Sequence, residues 1–355
     1  MATMVMERIG RLFINLQQVR QVPQMLTEAA PSMLGTLRDT EVPRFFRERH
    51  IHAGYRPLDQ GWRYYFLSLF QRHNETVNVW THLLGALLVL VKFAQLAETV
   101  DFGGDFHAWP LLTLLLSSLA YMSCSAAAHL LSAKSELCHF AFFFLDYVGV
   151  AQYQYGSAVV HFYYAAEEDW HRRVRGIFMP VAALLCCLSC LGCCYGKYRN
   201  HSLPHWVRKV GQVVPSALAY AWDTSPVFHR MLSCAPACGR DPAMPFHCGQ
   251  VAFFLSSALF FTQPVPERWF PGRCDFLGQG HQLFHVLLVC CTLCQIQASY
   301  LDYLGRRPLY LRLHGDGEAP FFLALFVATG VVCALIAAFM IRKVSRLLNC
   351  RDKSK

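Results

Sequence analysis

"GQGHQLFHVLLVCC" (residues 278–291) decides how the rest of the chain is read. The run is strongly apolar yet opens with His281 and His285, four residues apart. In a helix that spacing puts both imidazoles on one face, about one turn from each other. The apolar pattern continues to about residue 304, long enough for a helix to cross a bilayer, which takes about 20 residues. A helix in lipid holds a titratable side chain only at a cost, so two histidines at its start need a reason.

Composition supports the membrane reading. The 355 residues are 54% hydrophobic and only 15% charged, with a mean hydropathy of +0.28; soluble domains carry about 25% charge. Eight apolar blocks are predicted to span, at roughly 76–97, 109–132, 138–161, 176–196, 209–232, 245–264, 281–304 and 319–341. "WRYYFLSLFQ" (62–71) reads as a short amphipathic helix along the interface. The N-terminal "MATMVMERIGRLFINLQQ" is broken by Glu7, Arg8 and Arg11 and lacks the form of a cleavable signal. Most of the 16 cysteines lie in or beside apolar blocks and read as small hydrophobes. The dense "CCLSCLGCC" (186–194) suits packing or palmitoylation. Cys234, Cys238 and Cys248 pair only if their loop meets an oxidising compartment.

The net charge of +9 reflects topology, and no nucleic-acid partner is expected. With the N-terminus in the cytosol, most of the 32 Lys and Arg fall on that side, including the basic tail "RKVSRLLNCRDKSK". Both termini are therefore expected to be cytosolic. The sequons at Asn74 and Asn200 would then be unused.

Counting crossings brings the polar residues together. Ser125 and His129 end the second span, Asp146 lies about two turns into the third, and His281 and His285 begin the seventh. All emerge on one side of the membrane. Three imidazoles with an open position for water form a catalytic-type zinc arrangement. Asp146 would orient the metal water or take its proton, and Ser125 would bond from behind. Interhelical hydrogen bonding is the plainer alternative. Glu75, Asn78 and His82 share a face of the first span on the same side, fitting either a cap with an interhelical bond or a functional role.

These residues carry a resemblance. Glu75-x2-Asn78-x3-His82, Ser125-x3-His129 with Asp146, and "HQLFH" with His281 and His285 are similar to the three signature motifs of the progestin and adipoQ receptor family. "HNETVNVWTHLLGALL", "PERWFPG" and "GQGHQLFH" resemble its progestin-receptor branch, as does an eighth span after "LDYLGRRP". The N-terminal "ERIGRLFINLQQVRQVPQML" leans towards that branch's beta subtype. The resemblance implies an all-α membrane protein: a seven-helix transmembrane core of the adiponectin-receptor type plus an eighth C-terminal transmembrane helix. The expected organisation is a cytosolic N-terminal region with an interfacial helix (1–74), the zinc-binding core (75–304), and the eighth helix with a basic tail (305–355). His129, His281 and His285 would be the zinc ligands. The branch implies a plasma-membrane progestin receptor with rapid signalling, linked to an inhibitory G protein and including oocyte maturation.

Two functional readings follow. A steroid receptor needs an apolar slot with one or two donors. Gln212 in the fifth span is the candidate donor, with Pro215 expected to open the helix locally. The alternative is a zinc-dependent lipid amidase of the ceramidase kind, in which Asp146 shuttles the proton, with Ser125 beside it. Membrane lipids are partners in either case.

Overall fold

The computed structural model describes residues 34–199, 204–233, 237–315 and 318–353. From Thr36 onward the chain forms one compact unit. Eight long helices or helix pairs match the eight predicted blocks: α2 (Thr76–Ala97), α3 (Trp109–Leu131), α4 (Glu136–Val160), α6 (Phe178–Tyr198), α7 with α8 (His205–Asp223 and Ser225–Ser233), α9 (Met244–Thr262), α10 (Gly280–Gly305) and α12 (Glu318–Lys353). Short helices α1 (Trp62–Leu67), α5 (Glu168–Val174) and α11 (Arg307–Leu313) join them. Before α1, a two-stranded antiparallel ribbon pairs Leu37–Arg38 with Ala53–Tyr55.

Six of the eight are long and apolar enough to cross a membrane: α2, α3, α6, α9, α10 and α12. The exceptions have physical causes. Helix α4 packs against α3, α6, α7 and α12, so its polar residues face protein rather than lipid. Helix α7 is two-faced. Trp206, Val210, Val214 and Leu218, each four residues apart, form an exposed apolar ridge. Its other side is polar, and Ser216 Oγ meets Ser189 Oγ of α6 at 2.9 Å.

The fifth predicted span differs from expectation. Instead of one helix over 209–232, α7 begins at His205 and breaks at Thr224 before α8. Pro226 has no N–H for the preceding turn and its ring crowds the carbonyl four residues back. The Trp222 carbonyl that Pro226 cannot serve accepts from Ser225 Oγ (2.6 Å), and Thr224 Oγ1 joins its own N–H in donating to Tyr220 O (2.7 Å). Pro215, expected to open the helix, sits inside an unbroken one.

The eighth helix outruns its predicted block, continuing through the basic tail for 36 residues. Tyr155 of α4 donates to Phe322 O at 3.0 Å, and Arg351 pairs with Glu136 at 2.9 Å. In the cysteine run, Cys186, Cys190 and Cys194 are buried, and Cys187 and Cys190 contact Cys333 of α12, as packing requires. Asn200 and the side chains of Cys234 and Cys238 lie outside the described residues; Asn74 is buried.

The interfacial segment forms as α1 plus one 3-10 turn, Ser68–Phe70. Trp62, Phe66 and Phe70 point outward, 45%, 56% and 78% exposed. The "GQG" before α10 is a backbone device. Gly278 has φ +88°, and a β-carbon on Gly280 would lie 2.6 Å from Val265 O. Gln279 and Gln282 then cap the helix reciprocally, delivering His281 in its first turn.

Candidate metal centre

At one end of the bundle, a ligating atom from each of His129, His281 and His285 lies within 4.8 Å of the other two. His129 closes α3 and the other two open α10, as the crossing count requires. His129 Nε2 and His281 Nε2 are 3.3 Å apart. His129 and His285 have their second nitrogen engaged. His129 Nδ1 donates to Glu75 Oε2 at 2.7 Å. His285 Nδ1 meets Asn78 O and Thr81 Oγ1, each at 3.2 Å. In both rings Nε2 is left available to a metal, with the tautomer set by the bond at Nδ1.

The Glu75 motif is this support. Glu75 Oε2 also accepts from Asn78 Nδ2 at 2.7 Å. One turn of α2 thus holds His129 through a side chain and His285 through a main-chain carbonyl. His82 stacks on His285, centroids 3.8 Å apart and planes 7° from parallel. Both its nitrogens are buried without a partner among the described residues.

Asp146 is buried, and its Oδ1 has no hydrogen-bond partner among the described residues. Ser125 is buried one turn before His129, and its hydroxyl bonds to none of the three rings among the described residues. Gln212 makes no hydrogen bond to the three rings among the described residues. It lies against Gly196 of α6, where a β-carbon would come within 2.8 Å of its Cγ.

Two contributors lie outside the sequence motifs. Thr81 adjoins His82, and α-helical spacing from Asn78 was the signal for it. Arg56, 3% exposed, donates to His129 O (2.7 Å), Leu130 O (2.5 Å) and Ser68 Oγ (2.9 Å). It completes the carbonyls at the end of α3 just where His129 sits. No local sequence pattern announces that contact, which spans more than 70 residues.

Fold and site together define a multi-pass helical membrane protein with a buried three-imidazole centre at one end of its bundle. The haemolysin-III-related family model matches residues 70–296, which contain all three histidines. Over 346 residues, 97% of each chain, the sequence is 60% identical to membrane progestin receptor alpha-B of Danio rerio. It is 51% identical to human membrane progestin receptor alpha over 98% of this chain and 99% of that one. With the human beta receptor the identity is 47%, over 99% and 100%. The chain belongs to the membrane progestin receptor family.

Proposed function

We propose that the chain is a membrane receptor for a progestin steroid and holds one zinc ion at His129, His281 and His285. The observation that carries the receptor reading is the full-length identity with receptors of both the alpha and beta subtypes. Their names favour it over lipid hydrolysis. The oriented imidazoles support the metal: three neutral nitrogens of one kind suit Zn²⁺. Bound there, zinc would join the end of α3 to the start of α10. The chain's own residues supply the rest. Glu75 and the Asn78 carbonyl hold the ring tautomers, and Arg56 holds the end of α3.

For the steroid, a groove of about 380 Å³ opens sideways between α6 and α7. Leu185, Leu188 and Leu191 face Pro215 and Leu218 across a floor at Gly192, and Tyr195 adds a hydroxyl. Its size and apolar lining suit a rigid lipid-like ligand with few polar atoms. Gln212, beside Gly196 at the same helix contact, supplies an amide donor. The histidine end and both termini face the cytosol of the plasma membrane, consistent with basic residues collecting there. An inhibitory G protein would meet that face.

The test is saturation binding of radiolabelled progesterone to membranes, with surface expression matched. Wild type binds saturably, Leu188→Trp fills the groove and loses binding, and Gln212→Leu weakens it. No saturable binding by surface-expressed wild type would overturn the receptor reading.

A further inference from the structure

A polar seam runs along α10, from the histidine centre to the other end of the bundle. His281, His285, Thr292, Gln295 and Asp302 lie on one face of the helix. From His285 to Asp302 the helix rises about 25 Å, most of a hydrocarbon core about 30 Å thick. Neighbouring helices complete the seam. His82, stacked on His285, meets Tyr121 edge-on at 5.6 Å. Tyr121 Oη meets Thr292 Oγ1 at 2.8 Å, and Thr292 donates to Tyr153 Oη at 3.1 Å. Tyr153 donates in turn to Gln295 Oε1 at 2.8 Å.

Beyond Gln295 the seam passes through two histidines. Gln295 Nε2 lies 3.1 Å from His161 Nε2. His161 begins a π-helical turn, His161–Ala165, at the end of α4, a distortion common at functional positions. Gln250 lies between the two histidines: its Nε2 donates to His247 Nδ1 at 2.8 Å, and its Oε1 lies 3.3 Å from His161 Nε2, whose ring donates through Nδ1 to Asp223 O at 2.9 Å. His247 Nε2 meets Asp302 Oδ2 at 2.8 Å. Asp302 receives a two-pronged bond from Arg230 at 2.8 and 2.9 Å, and Arg230 also pairs with Asp241 at 2.5 Å.

Helix packing alone does not require this continuity; scattered interhelical bonds would serve as well. The Gln250 amide supplies a two-position element. His161 donates through Nδ1 to Asp223 O, so turning the Gln250 amide over would offer a donor to His161 Nε2 and an acceptor to His247 Nδ1. The hydrogen bonds run as far as Tyr121, and ring packing through His82 continues the seam to His285. Amides hold direction well but conduct protons poorly, so the seam transmits arrangement rather than charge.

We propose that this seam couples the Arg230–Asp302–His247 cluster to the three-histidine centre, so that rearranging one changes the ligand affinity of the other. The inference rests on the zinc reading, and linkage requires the effect to run both ways.

The experiment compares zinc affinity, by chelator competition, in the purified full-length chain. Asp302→Asn, about 25 Å along the helix from His285, is expected to shift it at least about fivefold. Tyr153→Phe removes one hydroxyl from the middle of the seam, and in that background Asp302→Asn should have little further effect. Asp105→Asn, at the same end but off the seam, controls for general destabilisation and should leave the affinity unchanged. An Asp302→Asn affinity within twofold of wild type, or an equal shift with and without the Tyr153 hydroxyl, would overturn the coupling. If wild type binds no zinc, the metal reading falls and the coupling is judged separately by histidine-ring NMR in the metal-free protein. There Asp302→Asn should move the His82 and His285 signals, and unmoved signals sink it.

Discussion

At Glu75 a single carboxylate oxygen serves two donors, His129 Nδ1 and Asn78 Nδ2. Its face was legible in the sequence from the i, i+3, i+7 spacing with Asn78 and His82. Its partner was not, because nothing local says which helix the carboxylate meets. Glu75→Gln removes the charge behind the imidazole, and zinc affinity is expected to fall about 10–100-fold, the usual effect of losing such support. Zinc titration of purified protein checks this. His285→Ala removes a ligand outright; metal analysis should show about one zinc per chain in wild type and sharply less in the variant. At Arg56 the expectation concerns position rather than chemistry. Arg56→Met leaves the α3 carbonyls uncapped and should lower both zinc affinity and thermal stability, the latter by about 1–3 kcal/mol for the buried acceptors left unpaired.

Among the elements, α2, α3, α6, α9, α10 and α12 were legible because their faces towards lipid demand apolar residues. The break at Thr224 was not read, although Ser225-Pro226 carried the signal, because apolar and helix-forming residues continue on both sides. At the end away from the histidines, α11 is tied to the approach to α3 through Arg307 and Asp105, 2.5 Å apart. Partial burial works to raise the Asp105 pKa, but the bond from Arg307 and the His107 N–H hold it below the usual value. A carboxyl depressed in the folded state stabilises the fold above its unfolded pKa, about 3.9. That contribution fades as pH falls through the lower folded value. The melting-temperature difference between wild type and Arg307→Gln should therefore be present at pH 6 and shrink towards pH 3.

For the whole molecule, hydropathy conveyed the eight helical blocks, six of them long and apolar enough to cross a membrane, and counting the blocks conveyed which polar residues share an end. It could not place α4 among its neighbours or join α10's polar face into a seam, since both depend on which helices touch. The eighth helix covers α4 and α6. Removing residues 316–355 would expose Gln152, which lies against Gly330, and leave the Tyr155 hydroxyl unpartnered. The truncated chain should unfold at a lower temperature and reach the cell surface in smaller amount, measurable by detergent melting and surface labelling.

The outward rings of α1 and the turn after it have a mechanical consequence. Trp62, Phe66 and Phe70 offer a headgroup layer three apolar rings, while the nearby Ser68 hydroxyl accepts from the guanidinium that closes α3. Rings and His129 are therefore tied through Ser68 and Arg56. If those rings anchor in the headgroups, the histidine end would keep its register when the bilayer thickens or thins, and the opposite end, with its short α5 and α11, would take up the change in span.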